Sequence, residues 1–228
     1  MLHLNPFAVS GLLTLFTCSL LCIGLLKFGK TKSHNIWALF NFSAAFWGGG
    51  CYLIGISTSV PMALISWKVA FLGALFTAPI FFHTVTVFCN IKRKDFLFFA
   101  YIQAIFFYLL TILTDLVFNE NGFYFRSLFF PKARITYHFL LGSWLVVTAY
   151  AHFVLFISSK KLSDLKRQQS FYLFYGSLIG FSGGVSSLLP SYGVLIYPYS
   201  NFSIPIYFII VSYAIFAHQL MDLQVAIK

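Results

Sequence analysis

Long apolar runs, separated by short basic or polar stretches, fill the chain from one end to the other. A helix needs about 20 residues to cross the hydrocarbon core of a bilayer, so runs of this length predict membrane-spanning helices. The last two runs are separated by the stretches 190–193 and 197–199, which are typical of turns and of interfacial aromatic residues. The pattern predicts seven spans, at 6–28, 35–57, 61–88, 96–118, 137–158, 171–189 and 202–218.

The composition supports a membrane location for the whole chain. Of its 228 residues, 60% are hydrophobic and 9% are charged, and 30 are phenylalanine. A soluble domain carries roughly 25% charged residues. We therefore expect an all-α integral membrane protein that consists of one seven-transmembrane helix bundle over residues 1–228. Residues 219–228 are expected to begin a cytoplasmic linker helix.

Basic residues are distributed unequally between the two sets of predicted loops. Eleven lysines and arginines follow the odd-numbered runs, and four lie on the other side. The positive-inside rule therefore predicts an N-terminus outside and a cytoplasmic C-terminus, in the inner (plasma) membrane of the cell. The net charge of +10 is then a signal of topology. We expect contact with anionic lipid headgroups and no binding of nucleic acid.

Small residues in two of the runs predict close helix packing. Three glycines lie at 48–50 in the second run, and Gly176 and Gly180 form a small-xxx-small pair in the sixth. This spacing lets helix backbones approach each other in a membrane. A hinge or a ligand pocket at 183–184 is the alternative interpretation of the glycines in the sixth run.

Ionisable side chains inside the apolar runs are few, and such groups are costly in a membrane and therefore candidates for function. His83 and His152 could ligate a haem or a metal, or relay protons. No paired spacing within one helix supports a metal site, so we expect hydrogen bonds between helices and no cofactor. Lys68 and Asp115 are predicted near the outer face, where they either form an ion pair or extend separately to the interface. The separate arrangement is favoured.

Catalysis is not expected of this chain. An intramembrane hydrolase needs a nucleophile with a base, or a pair of carboxylates. The sequence contains five acidic residues, and four of them fall in predicted loops or in the tail. Asp115 is therefore left without a second carboxylate inside the bundle.

Four stretches resemble the N-terminal seven-transmembrane region of bacterial sensor histidine kinases and related signalling proteins. They are NPFAVSGLL from Asn5, NIWALFNFSAAFWGGGCYL from Asn35, WKVAFLGALFTAPIFFHTVTVF from Trp67, and the block from Pro190 onward with YGVLIYP and YAI…LMDL. The third stretch has Gly73, Pro79 and His83 where the family pattern has them. The resemblance covers essentially the whole chain and is weakest between 91 and 137.

The resemblance implies a membrane-embedded sensory input module whose last helix continues into a cytoplasmic output domain. The chain carries no phosphoacceptor-histidine helix and no ATP-binding motif. A kinase or another output domain is therefore expected either in cis, in a missing part of the chain, or in trans, in a separate partner. The chain is expected to be a fragment, a truncated gene product or a stand-alone input module.

The C-terminal segment offers a route for such a signal. Phe216, Leu220, Leu223 and Ile227 are spaced by 4, 3 and 4 residues, as on the a/d seam of a parallel coiled coil. We therefore expect the last helix to pair with its copy in a homodimer. The alternative is an amphipathic tail that lies along the lipid headgroups.

Together these features favour an input module of a two-component signalling system. The alternatives are a small transporter or permease-like protein, and a structural subunit that docks a membrane partner. A lipid, a quinone, a small molecule and membrane tension are all open as the stimulus. We expect the stimulus to meet the outer half of the bundle, where Trp67, Lys68, Asp115, Tyr192, Tyr197 and Tyr199 gather in the predicted topology.

Overall fold

Seven α-helices and one β-hairpin make up the computed structural model, which describes residues 5–29 and 31–217. The hairpin lies between the fourth and fifth helices and consists of β1 (Phe118–Tyr124) and β2 (Leu128–Ala133). Two short 3-10 helices, Leu189–Tyr192 and Tyr199–Phe202, connect the last two helices. The helices are α1 (Pro6–Phe28), α2 (Lys32–Ile56), α3 (Val60–Phe88), α4 (Lys94–Leu113), α5 (Ile135–Ser159), α6 (Asp164–Ser186) and α7 (Ser203–Ala217).

Within these ranges, the five helices α1 to α5 are long and apolar enough to cross a membrane. The first turns of α6 are charged or polar and its second half is rich in glycine and serine, which lowers its hydropathy. The described part of α7 is apolar but has only 15 residues. The chain is thus a mostly helical membrane protein, and the sixth and seventh membrane crossings stay predictions.

Local sequence determines where the first two helices begin. The side chain of Asn5 caps α1 by accepting a hydrogen bond from Ala8 N (2.9 Å). Pro6 occupies the first turn, where a backbone N–H would be unpaired in any case. Thr31 and His34 form a capping box at the start of α2, because each backbone N–H donates to the side chain of the other residue. Both caps satisfy N–H groups that a helix leaves without partners.

The three N-terminal helices pack through small residues, with α2 between α1 and α3. A Cβ atom on Gly48 of α2 would lie 2.6 Å from Leu15 N and 2.7 Å from Gly11 O of α1. A Cβ atom on Gly50 would lie 2.5 Å from Ala70 Cα of α3. The prediction of close packing through the glycines at 48–50 is therefore confirmed for the first and the third of them.

The β-hairpin differs from the sequence prediction, which extends the fourth helix to residue 118 and places a loop after it. The helix ends at Leu113 because Thr114 adopts an extended conformation, with φ −140° and ψ 165°. The strands then pair antiparallel, with Gly122 opposite Phe130, and the register shifts between residues 119 and 122. The bundle therefore carries a small two-stranded sheet in addition to its helices.

The turn of the hairpin is built from two bulky residues in the left-handed region. Phe125 and Arg126 have φ values of 51° and 74°, and Ser127 N donates to Tyr124 O (3.2 Å). Positive φ at both central residues is the geometry of a type I′ turn, which fits the twist of a hairpin. Side chains other than glycine are uncommon there, so contacts outside the hairpin must help to hold the turn.

Strand β2 closes one end of the helix bundle. Phe129 and Phe130 are both fully buried. Trp67 Nε1 of α3 donates a hydrogen bond to Phe129 O (2.9 Å). The ring of Phe130 lies 5.5 Å from that of Trp67 and 6.2 Å from that of Phe7, measured between centroids. The strand is thus held against the helices by apolar burial and by the hydrogen bond from Trp67.

The helices alternate in direction, which gives the bundle two distinct ends. The hairpin end carries the hairpin, the start of α1 and the link between α6 and α7. The opposite end, called the basic end here, carries the short α1–α2, α3–α4 and α5–α6 connections. The side of the membrane that each end faces stays a prediction. The described cations at or near the basic end are Lys27, Lys32, Lys92, Arg93, Lys94, Lys160, Lys161, Lys166 and Arg167.

We expect Gly48→Ala to destabilise the protein more than Gly49→Ala does. The new methyl group at position 48 would overlap the α1 backbone, and overpacking of this kind typically costs about 1–3 kcal/mol. At Gly49 a Cβ atom would meet nothing nearer than Leu15 Cδ1, at 3.8 Å. The thermal unfolding midpoints of the two purified variants in detergent provide the measurement. Equal midpoints would contradict the backbone contact between α1 and α2.

Candidate functional site

His83 lies on α3 toward the basic end and is half-buried. Its Nδ1 atom is 3.1 Å from the hydroxyl oxygen of Tyr101 on α4. The two rings meet edge to face, with centroids 6.0 Å apart. The predicted hydrogen bond between helices is therefore confirmed for this histidine, whereas a sensing role for it stays a prediction.

His152 is buried where α5 meets α6. Its Nδ1 atom lies 2.8 Å from Thr148 O, which can only accept, so Nδ1 carries the proton. Nε2 is 2.9 Å from Ser177 Oγ of α6, so the predicted contact between helices is confirmed here as well. The rings of Phe81 and Phe181 lie 5.0 Å and 6.0 Å from the imidazole. Across residues 5–29 and 31–217, no three histidine, cysteine or acidic side chains gather as a metal site.

Lys68 and Asp115 lie at the hairpin end but do not pair with each other in the described structure. Lys68 Nζ donates to Ile112 O in the last turn of α4 (3.3 Å). Arg134 Nη1 donates to the backbone oxygen of Asp115 (2.7 Å). Both cations thus donate to carbonyl oxygens at or just after the end of α4. The last carbonyl groups of a helix have no hydrogen-bond partner within the helix. The separate extension of these two side chains to the membrane interface, which the sequence favours, stays a prediction.

The aromatic residues of the predicted outer surface have different environments. Trp67 is fully buried beneath β2, so it cannot meet a ligand at the surface. Tyr192 is partly exposed, and Tyr199 is 60% exposed. The hydroxyl oxygen of Tyr197 accepts a hydrogen bond from Phe7 N (3.3 Å). Burial raises the pKa of Tyr197 above its usual value, so this phenol stays neutral at physiological pH.

Asn201, just before α7, joins three parts of the chain and is fully buried. Its Oδ1 atom accepts a hydrogen bond from Trp47 Nε1 of α2 (3.1 Å). Its Nδ2 atom donates to Ser10 Oγ of α1 (2.8 Å), and Ser10 Oγ donates to Phe7 O (2.8 Å). Unpaired polar groups are costly in such surroundings, so these bonds fix the start of α7 against α1 and α2. No local sequence pattern distinguishes this asparagine, because its partners lie far away along the chain.

The same set of contacts extends to the hairpin. Asn5 Nδ2 donates to Gly55 O (2.7 Å) and to Ser127 Oγ (3.2 Å). The ring of Phe125 in the turn lies 5.2 Å from the ring of Tyr197. These contacts connect the strained turn to the start of α1 and to the link before α7. The hairpin-end network is defined here as Asn5, Ser10, Trp47, Ser127, Tyr197 and Asn201.

A cavity of ≈ 80 Å³ lies between α2, α3, α5, α6 and α7. We call it the interhelical cavity. Its wall is apolar and largely aromatic, and residues from five separate helices form it, so no local sequence pattern predicts it. Of the two glycines at 183–184 where the sequence allows a pocket as an alternative, Gly184 lines the cavity, whereas Gly183 packs against Ser203 and Ser200. The larger side chains of the wall include Trp47, Phe71, Trp144, Phe181, Ile204 and Tyr207.

Three polar groups of this wall are bonded within the protein, whereas the hydroxyl of Tyr207 is buried without a hydrogen-bond partner in the described structure. Trp47 Nε1 is engaged by Asn201, as described above. Trp144 Nε1 of α5 donates to Ala74 O of α3 (2.9 Å), and Thr77 Oγ1 donates to the same oxygen (2.7 Å). The indole N–H groups and the threonine hydroxyl are therefore not available to an occupant of the cavity.

The exposure of its lining residues indicates that the cavity opens between α5 and α6. Leu141 of α5 and both Gly184 and Val185 of α6 line it and are themselves partly exposed. Farther along the same two helices, Leu145 is 43% and Leu178 is 47% exposed. The exposed surface next to this opening is therefore apolar along both helices.

Comparison with known proteins adds one finding to this geometry. A family model described as the N-terminal 7TM region of histidine kinase matches residues 8–224. No curated protein matches the chain. The matched segment includes all seven α-helices apart from the first two residues of α1. The resemblance inferred from the four sequence stretches is thereby confirmed.

We expect Asn201→Ala to lower the free energy of unfolding, because Trp47 Nε1 would lose its acceptor in a buried site. An unsatisfied buried donor costs about 1–3 kcal/mol. Asn35→Ala is the matched control, since Asn35 is exposed on α2. A double-mutant cycle with Trp47→Phe, measured by unfolding in mixed micelles, should give a coupling of about 0.5–3 kcal/mol. Strictly additive effects of the two substitutions would contradict a bond between them.

Proposed function

The chain belongs to the family of N-terminal seven-transmembrane regions of histidine kinases, and on this premise we propose that it relays a stimulus through α7 to a cytoplasmic output domain. The family suggests a sensory input module, and the match over residues 8–224 is the observation that carries the proposal. The output domain is a kinase or another signalling domain, in cis or in trans. No catalytic step is assigned to this chain, since phosphoryl transfer would belong to the output domain.

The position of α7 supports this role. The helix begins at Ser203, two residues after Asn201, and packs against α6 and α1. Its Tyr207 and Phe208 are buried, and both rings lie 6.1 Å from the ring of Phe40 on α2. A displacement at the hairpin end would therefore be transmitted along a packed helix, which is a rigid element.

The proposed output seam begins at the described end of α7. Phe216 belongs to that helix, whereas Leu220, Leu223 and Ile227 lie outside the described residues. We propose that the helix continues through these positions and pairs with its copy in a homodimer. The 4, 3, 4 spacing of the four residues supports the pairing, and the family match extends to residue 224.

The proposed orientation places the hairpin end outside the cell and the basic end in the cytoplasm of an inner-membrane protein. The cations of the basic end support this orientation through the positive-inside rule. The same residues would then contact anionic headgroups of the inner leaflet. A transporter would need a path between the two ends, whereas the buried Phe129 and Phe130 of β2 pack into the hairpin end.

Cysteine labelling tests the orientation. In a variant whose four native cysteines are replaced by alanine, we expect Lys132→Cys in β2 to react with a membrane-impermeant maleimide on intact cells. Lys161→Cys, between α5 and α6, should react only after permeabilisation. Both positions are exposed in the structure, so access to the reagent is not limited by burial. The opposite labelling pattern would overturn the proposed orientation.

Disulfide cross-linking in native membranes tests the relay through a paired α7. We expect Leu220→Cys and Leu223→Cys, each in the same cysteine-free background, to form covalent dimers under mild oxidation because seam positions face each other. Asp222→Cys is the matched control, since it falls between the two seam positions and off the seam. The absence of dimers at both 220 and 223, or equal dimer formation at all three positions, would contradict the stalk.

A further inference from the structure

We propose that the interhelical cavity binds a single hydrocarbon chain of a membrane amphiphile, which enters sideways from the bilayer between α5 and α6. The binding step follows from the shape and chemistry of the cavity. Its consequence for signalling rests on the proposed function, because it needs α7 to act as the output helix.

The wall selects against charged and polar occupants. Among the described residues that line the cavity, none is charged. The buried hydroxyl of Tyr207 has no hydrogen-bond partner there, but the indole groups of Trp47 and Trp144 donate to protein oxygens. A polar group placed inside would lose its hydration without gaining a hydrogen bond from these groups, which is costly. Apolar cavities also tend to stay free of water. Hydrocarbon is therefore the class of occupant that the wall fits.

The size and opening of the cavity favour a chain over a compact molecule. Its volume of ≈ 80 Å³ is small beside the roughly 300–1,000 Å³ of pockets that enclose a drug-sized ligand. Leu145 and Leu178, farther along the two helices that flank the opening, are exposed apolar side chains. A flexible chain can place its end in the cavity while its remaining length and its headgroup stay in the bilayer. The amphiphile thus needs no polar contact within the bundle.

The occupant would contact the helix that the proposed function assigns to output. Ile204 and Tyr207 of α7 form part of the wall, opposite Trp144 of α5. On the side toward the basic end, α5 is held to α6 by the contact between His152 and Ser177. A hydrocarbon chain between α5 and the α6–α7 pair would therefore lie beside this contact. Its presence would shift α7 relative to α3 and α5.

Photolabelling of the full chain in lipid nanodiscs tests the binding step directly. The probe is palmitic acid with a diazirine in the middle of the chain, followed by peptide mapping. We expect saturable labelling of cavity-lining peptides from α5 and α7, and competition by unlabelled palmitic acid. The proposal would be overturned if labelling increases linearly with probe concentration and is confined to outward positions such as Leu145 and Leu178. That pattern is the one expected of ordinary surrounding lipid.

Two leucine substitutions provide a matched comparison. A Cβ atom on Gly184 would lie 3.6 Å from Ile204 Cδ1, so Gly184→Leu can fill the cavity without striking the backbone. Gly142 on α5 has no heavy atom within 4 Å of a Cβ and is exposed, so Gly142→Leu extends into lipid. We expect Gly184→Leu to reduce cavity labelling about tenfold, equivalent to about 1.4 kcal/mol, and Gly142→Leu to leave it unchanged. Equal effects of the two substitutions would overturn the proposal.

A second variant covers the case in which Gly184→Leu does not fold. Leu141→Phe narrows the opening from the α5 side, and it should also reduce cavity labelling while the surrounding lipid labels normally. Unchanged labelling of this folded variant would count against entry between α5 and α6. A parallel experiment with a photoreactive farnesol distinguishes acyl from prenyl chains, and saturable cavity labelling by either probe supports the proposal. Since no output is measured, failure of the relay would leave these results unaffected.

Discussion

Close backbone contact among α1, α2 and α3 is the constraint on which the remaining structure depends. Lipid chains are as apolar as the helix surfaces, so helices in a bilayer associate through packing and hydrogen bonds. Gly48 lets α2 meet α1 at Gly11. Gly73 lets α3 meet α2, where Ser43 Oγ also donates to Gly73 O (2.8 Å). The result is a dense three-helix unit in which both glycines and a buried hydroxyl bring the backbones together.

The hairpin and the start of α7 attach to this unit through two buried indoles. Trp67 Nε1 bonds to Phe129 O of β2, and Trp47 Nε1 bonds to Asn201. A buried tryptophan combines a large apolar surface with one directed donor. Each indole therefore covers apolar surface at the hairpin end and fixes the position of the segment that accepts its hydrogen bond. The left-handed turn at Phe125 and Arg126 costs about 1–2 kcal/mol for each residue. Its contacts with α1 and with the link before α7 offset that cost.

The other side of the bundle is packed less closely, and the cavity lies there. Helix α6 uses its small residues in two ways. The ring of Tyr207 covers Gly180, with ring atoms 3.0 Å from the place of a Cβ atom, whereas Gly184 meets only Ile204 Cδ1 at 3.6 Å. The first contact docks α7 on α6, and the second leaves part of a wall unfilled. Under the proposed function, the dense side would stay fixed while a bound hydrocarbon chain acts on the looser side, next to α7.

The sequence by itself determined the number and order of the helices, their alternating basic connections and the family, because apolar length, charge and capping are local properties of the chain. It did not determine the hairpin, since the left-handed turn at Phe125 and Arg126 depends on contacts with distant segments. It did not determine the site either. Asn201 bonds to Trp47 and Ser10, which lie 154 and 191 residues away along the chain, and five helices contribute to the cavity wall. Only the tertiary structure decided which side chains meet, because those contacts arise from the packing of whole helices.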